Sequence, residues 1–89
     1  MDTISGTLFK ILTDEKGRNK KLEVRVGNEI KSIDITHFPL KLDKNLVGKT
    51  CIYKLETDNA ASLQLGDSVY YFNPNKRDSF YVADKPSIN

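Results

Sequence analysis

The chain has 89 residues, of which 38% are hydrophobic and 29% are charged, and its net charge is +2. This composition excludes a disordered chain and a membrane-embedded one, and the length suits one folded domain with a small core. The one cysteine, Cys51, excludes an internal disulfide. No Asn-X-Ser/Thr sequon and no basic, apolar leader is present, which favours a cytoplasmic protein without a membrane segment.

The positive charge is concentrated in the middle of the chain. Residues 1–15 carry a net charge of −2, residues 16–49 carry +5, and residues 50–89 carry −1. Such an uneven distribution indicates an anionic partner more strongly than the total charge does. The alternative is an ordinary solvated surface rich in lysine.

Residues 3–12 predict a first strand that is apolar on both faces. One face carries Ile4, Leu8 and Leu12, and the other carries Phe9 and Ile11. Gly6 inside this strand indicates a bulge or the tight bend of a barrel corner.

The polar turn that follows, residues 13–20, contains Lys16, Arg18 and Lys20. These cations either contact phosphate groups or form a solvated hairpin tip, because hairpin tips are commonly polar.

Residues 21–36 predict a β-hairpin around Gly27-Asn28, since every second residue on either side is apolar. A four-residue loop pairs Val24 with Ile33 and is the preferred register. A two-residue turn would instead set Val24 against Lys31. In both registers the side chains of Lys21, Glu23 and Arg25 point outward and form a mixed-charge face.

The second half of the chain predicts further short elements. After Pro39, residues 40–47 predict a plug of one or two helical turns, or a packed loop. Residues 49–56 predict a strand, and residues 57–62 a break with Asp58 as the N-cap of a single helical turn. A final hairpin and a loose tail, residues 85–89, complete the chain. The expected fold is all-β: one domain, residues 1–84, built as an antiparallel barrel of five or six strands with at most one short helical turn.

No catalytic or metal-binding arrangement emerges from the sequence. Gly48-Lys49-Thr50 lacks the first glycine of a phosphate-binding loop and precedes a strand rather than a helix. His37 has no metal-ligating neighbour at a suitable spacing, and Cys51 has the position of a buried apolar residue. We therefore expect no enzyme, no cofactor and no metal.

The final hairpin is rich in aromatic residues and carries two cations, Lys76 and Arg77, at its tip. Its aromatic residues are Tyr70, Tyr71, Phe72, Phe80 and Tyr81. Aromatic rings on both faces of a hairpin cannot all lie in the core, so exposed rings beside cations would suit base stacking. Cross-strand aromatic pairs also stabilise hairpins, and exposed rings serve protein contacts equally well.

The order of these predicted elements resembles the oligonucleotide/oligosaccharide-binding (OB) fold and the small single-strand-binding proteins of phages. The resemblance implies a binding surface on residues 21–36, flanked by the loops of residues 16–20 and 73–77. It also implies a homodimer through a β-surface, as in some of those phage proteins. An SH3-like barrel is the alternative, because it also uses short strands with Gly-Asp entries.

We therefore expect a small non-enzymatic module that binds single-stranded DNA or RNA, with no role at a membrane. The expected contact residues are Lys16, Arg18, Lys20, Lys21, Arg25, Tyr70, Lys76, Arg77 and Tyr81. The alternative is a protein-interaction module, such as a phage or mobile-element inhibitor or a subunit of a larger assembly. That module would use the aromatic hairpin as its contact face.

Overall fold

The computed structural model describes residues 3–77 and 80–84. These residues form seven strands and one 3-10 turn: β1 (Thr3–Thr13), β2 (Asn19–Val26), β3 (Glu29–Asp34), the 3-10 turn (Lys44–Leu46), β4 (Thr50–Thr57), β5 (Ala60–Leu65), β6 (Ser68–Phe72) and β7 (Phe80–Asp84). The predicted all-β class with one short helical turn is therefore confirmed for this part of the chain. The predicted tail, residues 85–89, lies outside the described residues.

The strands form one antiparallel sheet in the order β3-β2-β1-β4-β5-β6-β7. β3 and β7 are its two edges, and no hydrogen-bonded ladder between described residues joins them. Closure into a barrel therefore stays a prediction. The two ends of the sheet are nevertheless connected by packing, because the ring of Phe38, which follows β3, contacts Tyr70 and Phe72 of β6 edge-on.

The core collects the alternate apolar side chains of the strands around Phe38. The fully buried residues include Leu8, Leu22, Val24, Ile33, Ile35, Phe38, Cys51 and Leu63. Cys51 lies among them as predicted, and Tyr53 and Leu55 of the same strand pack against this cluster. Burial raises the pKa of the Cys51 thiol to about 12, so the thiol stays protonated at neutral pH.

The preferred register of the β2–β3 hairpin is wrong. Leu22 pairs with Ile33 and Val24 with Lys31, which is the register of the two-residue turn at Gly27-Asn28. Gly27 has a φ of 63°, which a turn of this length requires. The two-residue turn is tolerated because β3 is an edge strand and its first four residues are exposed, beyond the core. The cross-strand neighbour that covers Val24 is therefore Leu8 of β1 and not a residue of β3.

A bulge in β1 changes which of its side chains reach the core. Leu8 pairs with Val24 and Lys10 pairs with Glu23, so Phe9 is an extra residue in β1. The bulge reverses the alternation, and Ile11 packs against the core, contrary to the predicted face. Gly6 lies where β2 crosses closely, since a Cβ there would collide with the carbonyl oxygen of Arg25. Of the two alternatives predicted for Gly6, the bulge lies instead at Phe9, and the tight bend of a barrel corner stays a prediction.

The predicted break at residues 57–62 is present but shorter than expected, and the predicted helical turn is wrong. The chain makes a tight turn at Asp58 and Asn59, and β5 begins at Ala60 instead of forming a helical turn. The alternation of buried residues starts at Ala61 and continues through Leu63 and Leu65. Alanine is a weak strand former, so its contribution to this pattern is not apparent from sequence.

The plug between β3 and β4 is confirmed as a packed loop with one 3-10 turn. Leu40, Leu42 and Leu46 pack against the core, whereas Val47 is exposed. The carboxylate of Asp43 accepts a hydrogen bond from the backbone N–H of Asn45 and caps the turn.

Candidate nucleic-acid interface

The β1–β2 turn is shaped by the carboxylate of Asp14. Its Oδ1 accepts hydrogen bonds from the backbone N–H groups of Lys16 and Arg18, both at 2.9 Å. Its Oδ2 accepts a third from Nε of Arg18 at 3.0 Å. The hydrogen bond from the backbone of Arg18 is the main cause that lowers the pKa of Asp14. The Arg18 guanidinium is therefore held at one place on the turn.

The next loop is tied to this turn by Asn19. Its side-chain Nδ2 donates hydrogen bonds to the carbonyl groups of Phe38 and Leu40, both at 2.8 Å. Phe38 is anchored in the core, so these bonds fix the path of the chain into Lys41. Lys41 is consequently positioned beside the β1–β2 turn.

The connection between β6 and β7 reaches the same loop through Arg77. Nη2 of Arg77 donates a hydrogen bond to the carbonyl oxygen of Thr36 at 2.8 Å. Asn75 braces this connection from the other side, because its Nδ2 donates to the carbonyl of Asp58 at 2.6 Å. Three loops that are distant in sequence thus meet at one place.

A small cleft of about 160 Å³ lies where these loops meet, and we call it the basic cleft. It is lined by residues 17–19, residues 38–41 and Arg77. Three of the described lining residues are cations, namely Arg18, Lys41 and Arg77. The described lining contains no aspartate or glutamate. The volume is about half that of the smallest typical small-molecule pocket, so the cleft suits one anionic group rather than a whole ligand.

A larger open depression of about 550 Å³ lies beside the β5–β6 turn. Its described lining carries one lysine, Lys49, and one aspartate, Asp67, so the formal charges cancel. Gly48-Lys49-Thr50 leads into β4 here, as predicted, and not into a helix. Of these two depressions the basic cleft therefore has the excess of positive charge, part of which is balanced by Asp14, the ion-pair partner of Arg18.

The structure divides the predicted cations into two groups. Arg18 and Arg77 line the basic cleft, and Lys16 and Lys76 are exposed in the two turns that contribute to it. Lys20 and Lys21 lie in β2, where Lys21 is opposite Asp34 and has a carboxylate as its cross-strand neighbour. Arg25 is at the far end of β2, away from the cleft.

The aromatic hairpin differs from the expectation at Tyr70. This ring is half-buried and packs edge-on against Phe38 with the centroids 5.4 Å apart, so at least part of it contributes to the core. The exposed ring of β6 is that of Tyr71. Tyr81 is the backbone partner of Tyr71 on β7, and its side chain lies outside the described residues.

Sequence reasoning missed two residues of the candidate interface. Lys41 was assigned to the plug, and only the hydrogen bonds of Asn19 to that loop reveal its place in the basic cleft. Phe9 was assigned to a face of β1, whereas the bulge leaves its ring exposed beside Arg25 and Lys10. The signal for Phe9 was its position next to Leu8, since two consecutive large apolar residues cannot both face the core of a strand.

Other chemistry is sparse in the described part of the chain. His37 is half-buried, and the described residues contain no group of three or more His, Cys, Asp or Glu side chains suited to a metal ion. Among those same residues no helix has the length and apolar character needed to cross a membrane. Comparisons of the chain with protein-family models, with curated proteins and with solved structures find no match.

Proposed function

We propose that the chain is a non-enzymatic module that binds single-stranded nucleic acid and holds its phosphate backbone at the basic cleft. The observation that carries this proposal is the convergence of Arg18, Lys41 and Arg77, from three separate loops, on a cleft whose described lining has no carboxylate. Cations that neutralise phosphates supply most of the affinity of sequence-independent nucleic-acid binding. The small volume suits one phosphate group at a time.

A single strand fits better than a duplex because of the exposed aromatic rings. The large hydrophobic side chains that the described residues expose include the rings of Phe9 and Tyr71. Rings on an open strand surface can stack on unpaired bases, whereas the bases of a duplex are already stacked on each other.

We further propose that the sheet is an OB-like barrel, with the SH3-like barrel as the alternative. Two features support a curled sheet. β1 pairs with β4 through residues 3–7 and with β2 through residues 7–13, so it is shared between two halves. Phe38 also packs from the end of β3 onto β6. In an OB-like fold, the expected surface on β2 and β3 adjoins the loops that form the basic cleft.

The test is fluorescence anisotropy with labelled single-stranded and double-stranded oligonucleotides at several salt concentrations. Three phosphate contacts at the basic cleft predict a slope of log K against log salt of about −2, and any further phosphate contact makes the slope steeper. K41E should weaken binding about tenfold or more for all sequences alike, because a hydrogen-bonded phosphate contact is replaced by repulsion. Affinity that does not change with salt would contradict the proposal.

The matched control is K54E, which reverses the charge of another exposed lysine, in β4 and outside the described lining of the basic cleft. Both variants change the net charge by the same amount, so a general charge effect would weaken them equally. Only a local contact at the basic cleft predicts that K54E binds like the wild type at moderate salt.

The second candidate function is a protein-interaction module, which the 42% exposure of Tyr71 favours. Tyr71 lies opposite Ser62 of β5 and Tyr81 of β7, on the strands that form one end of the sheet. This candidate predicts that Y71A abolishes complex formation with a protein partner and leaves oligonucleotide binding unchanged. Light scattering of the free chain would establish in the same experiment whether that partner is a second copy.

A further inference from the structure

Phe9 has an unusual position for a phenylalanine in a strand. It is the extra residue of the β1 bulge, between Leu8, which is 1% exposed, and Lys10. The ring itself is 40% exposed, although Leu8 and Ile11 on either side pack into the core. Bulges re-aim side chains at binding sites, and here the bulge turns an aromatic ring out of the core.

Two cations lie over or beside this ring. Cζ of Arg25 is 5.0 Å from the ring centroid, and Nζ of Lys10 is 6.0 Å from it. Ile30, which pairs with Arg25 across β2 and β3, is 45% exposed and extends the apolar surface. Glu23 pairs with Lys10, so the site keeps a net charge of about +1.

An exposed aromatic ring close to two cations matches a ligand that combines a flat ring with negative charge. An unpaired nucleotide has both, because its base can stack on the phenyl ring and its flanking phosphates can contact the cations. An anion without a ring would leave Phe9 unused, and a purely apolar ligand would leave Arg25 and Lys10 poorly solvated. The chemistry of the site therefore favours an unpaired base within a nucleic-acid strand.

We propose that Phe9 is a base-stacking position, with Arg25 and Lys10 holding the phosphates that flank the stacked base. This proposal rests on the proposed function and adds a second contact point to the basic cleft. β2 connects the two places: Asn19 lies at the cleft, Arg25 lies beside Phe9, and the strand between them is about 20 Å long. Lys21 is on the same outward face of β2 as Arg25 and lies between the two contact points.

The chain offers a direct reporter for stacking because it contains no tryptophan. F9W places the sole tryptophan at the proposed position, and stacking on a base should quench its fluorescence on titration with a single-stranded oligonucleotide. Inorganic polyphosphate, a polyanion without bases, should bind without comparable quenching. The matched control is A60W, which places a tryptophan at an exposed position at the start of β5, two strands from β1 in the sheet and outside the described lining of the basic cleft. Its fluorescence should change little.

Affinity measurements with F9A and F9L separate stacking from folding. Loss of one stacked base should weaken oligonucleotide binding between about 5-fold and 150-fold. F9L keeps an apolar side chain of similar size, so it should retain the wild-type unfolding temperature and still bind weakly. Wild-type affinity in F9L, or F9W fluorescence that oligonucleotide leaves unquenched, would overturn the stacking proposal.

The two proposals fail in different ways in this design. If the wild type binds single strands and F9L binds equally well, the stacking position is wrong and the basic cleft stands. If the wild type does not bind single strands at low salt, the proposed function itself is wrong and the stacking proposal falls with it.

Discussion

Two aspartates hold the cations of the basic cleft in place. Asp14 accepts hydrogen bonds from the backbone and side chain of Arg18. Asp34 accepts one from the backbone N–H of Thr36 at 2.9 Å, and the carbonyl of that threonine receives the guanidinium of Arg77. Backbone N–H donors are the largest cause of the lowered pKa at both aspartates. The carboxylates of Asp14 and Asp34 therefore position Arg18 and Arg77 by fixing the loops that carry or contact these side chains.

The lowered pKa values predict a specific acid dependence of stability. Each carboxylate has a lower pKa in the folded chain than its ordinary value of 3.8, so its stabilising contribution is complete above that value. The contribution is lost as the pH falls through the folded pKa. The free energy of unfolding of the wild type should therefore approach that of D14N or D34N as the medium is acidified below pH 3.8.

The measurement is urea unfolding of the three proteins across this pH range at constant ionic strength. The other carboxylates are common to all three chains and cancel in the differences. A stability difference that stays constant with pH would show that neither hydrogen-bonded carboxylate is linked to folding in this way.

Sequence identified Arg18 and Arg77 as candidate cations, and the resemblance to the OB fold placed their loops beside one surface, but no residue pattern indicated the contacts that bring them together. Their meeting depends on two hydrogen bonds between distant residues: one from Asn19 to the carbonyl of Phe38, and one from Arg77 to Thr36, which is 41 positions away. Such contacts leave no periodicity in the sequence. Lys41 was missed for the same reason, and the partial burial of Tyr70 was not apparent because a half-buried tyrosine and an exposed one have the same strand pattern.

At the level of the elements, the strands were predictable where burial alternates strictly. Leu22, Val24, Ile33 and Ile35 are buried as their spacing indicates. The hairpin register was not predictable, because the overhang of an edge strand beyond the core depends on its neighbours. The bulge at Phe9 likewise depends on the pairing of β1 with β2, and a single extra residue there changed the assigned face of Ile11.

Asn19 gives a prediction at the scale of two connected loops. N19A removes both donors to the carbonyl groups of Phe38 and Leu40, at the point where β2 begins. We expect a loss of stability of about 1 to 3 kcal/mol and weaker oligonucleotide binding, because Lys41 is no longer held at the basic cleft. Thermal unfolding and anisotropy measure the two effects.

The control for this variant is N45A, which truncates an exposed asparagine on the 3-10 turn. A surface substitution of this kind should change stability by less than about 0.5 kcal/mol. If N19A bound oligonucleotide as tightly as N45A while losing stability, the loop tie would be structural only.

At the scale of the whole molecule, Phe38 connects the two ends of the sheet. It is the largest fully buried side chain in the described part of the chain, and it contacts both Tyr70 and Phe72. F38A should reduce the free energy of unfolding by about 3 to 5 kcal/mol, since it leaves a cavity where three rings meet. F38L should cost less, because it fills most of that volume.

The matched control is F9A, which removes the same side chain from an exposed position. Its cost should stay near 1 kcal/mol or below, as expected for an exposed ring with a cation nearby. Chemical denaturation of F38A, F38L and F9A measures the change in the free energy of unfolding. Similar losses of stability in F38A and F9A would show that Phe38 does not hold the sheet together.

The division of β1 between two partners also sets an order of folding. Its second half pairs with β2, which follows within a few residues, but residues 3–7 pair with β4, whose partner residues lie at positions 50–54. Contacts between such distant residues form late and slow the folding of small domains. During synthesis, residues 3–7 therefore lack their partner until residues 50–54 have left the ribosome. The first half of β1 is thus paired later than its second half, although both belong to one strand.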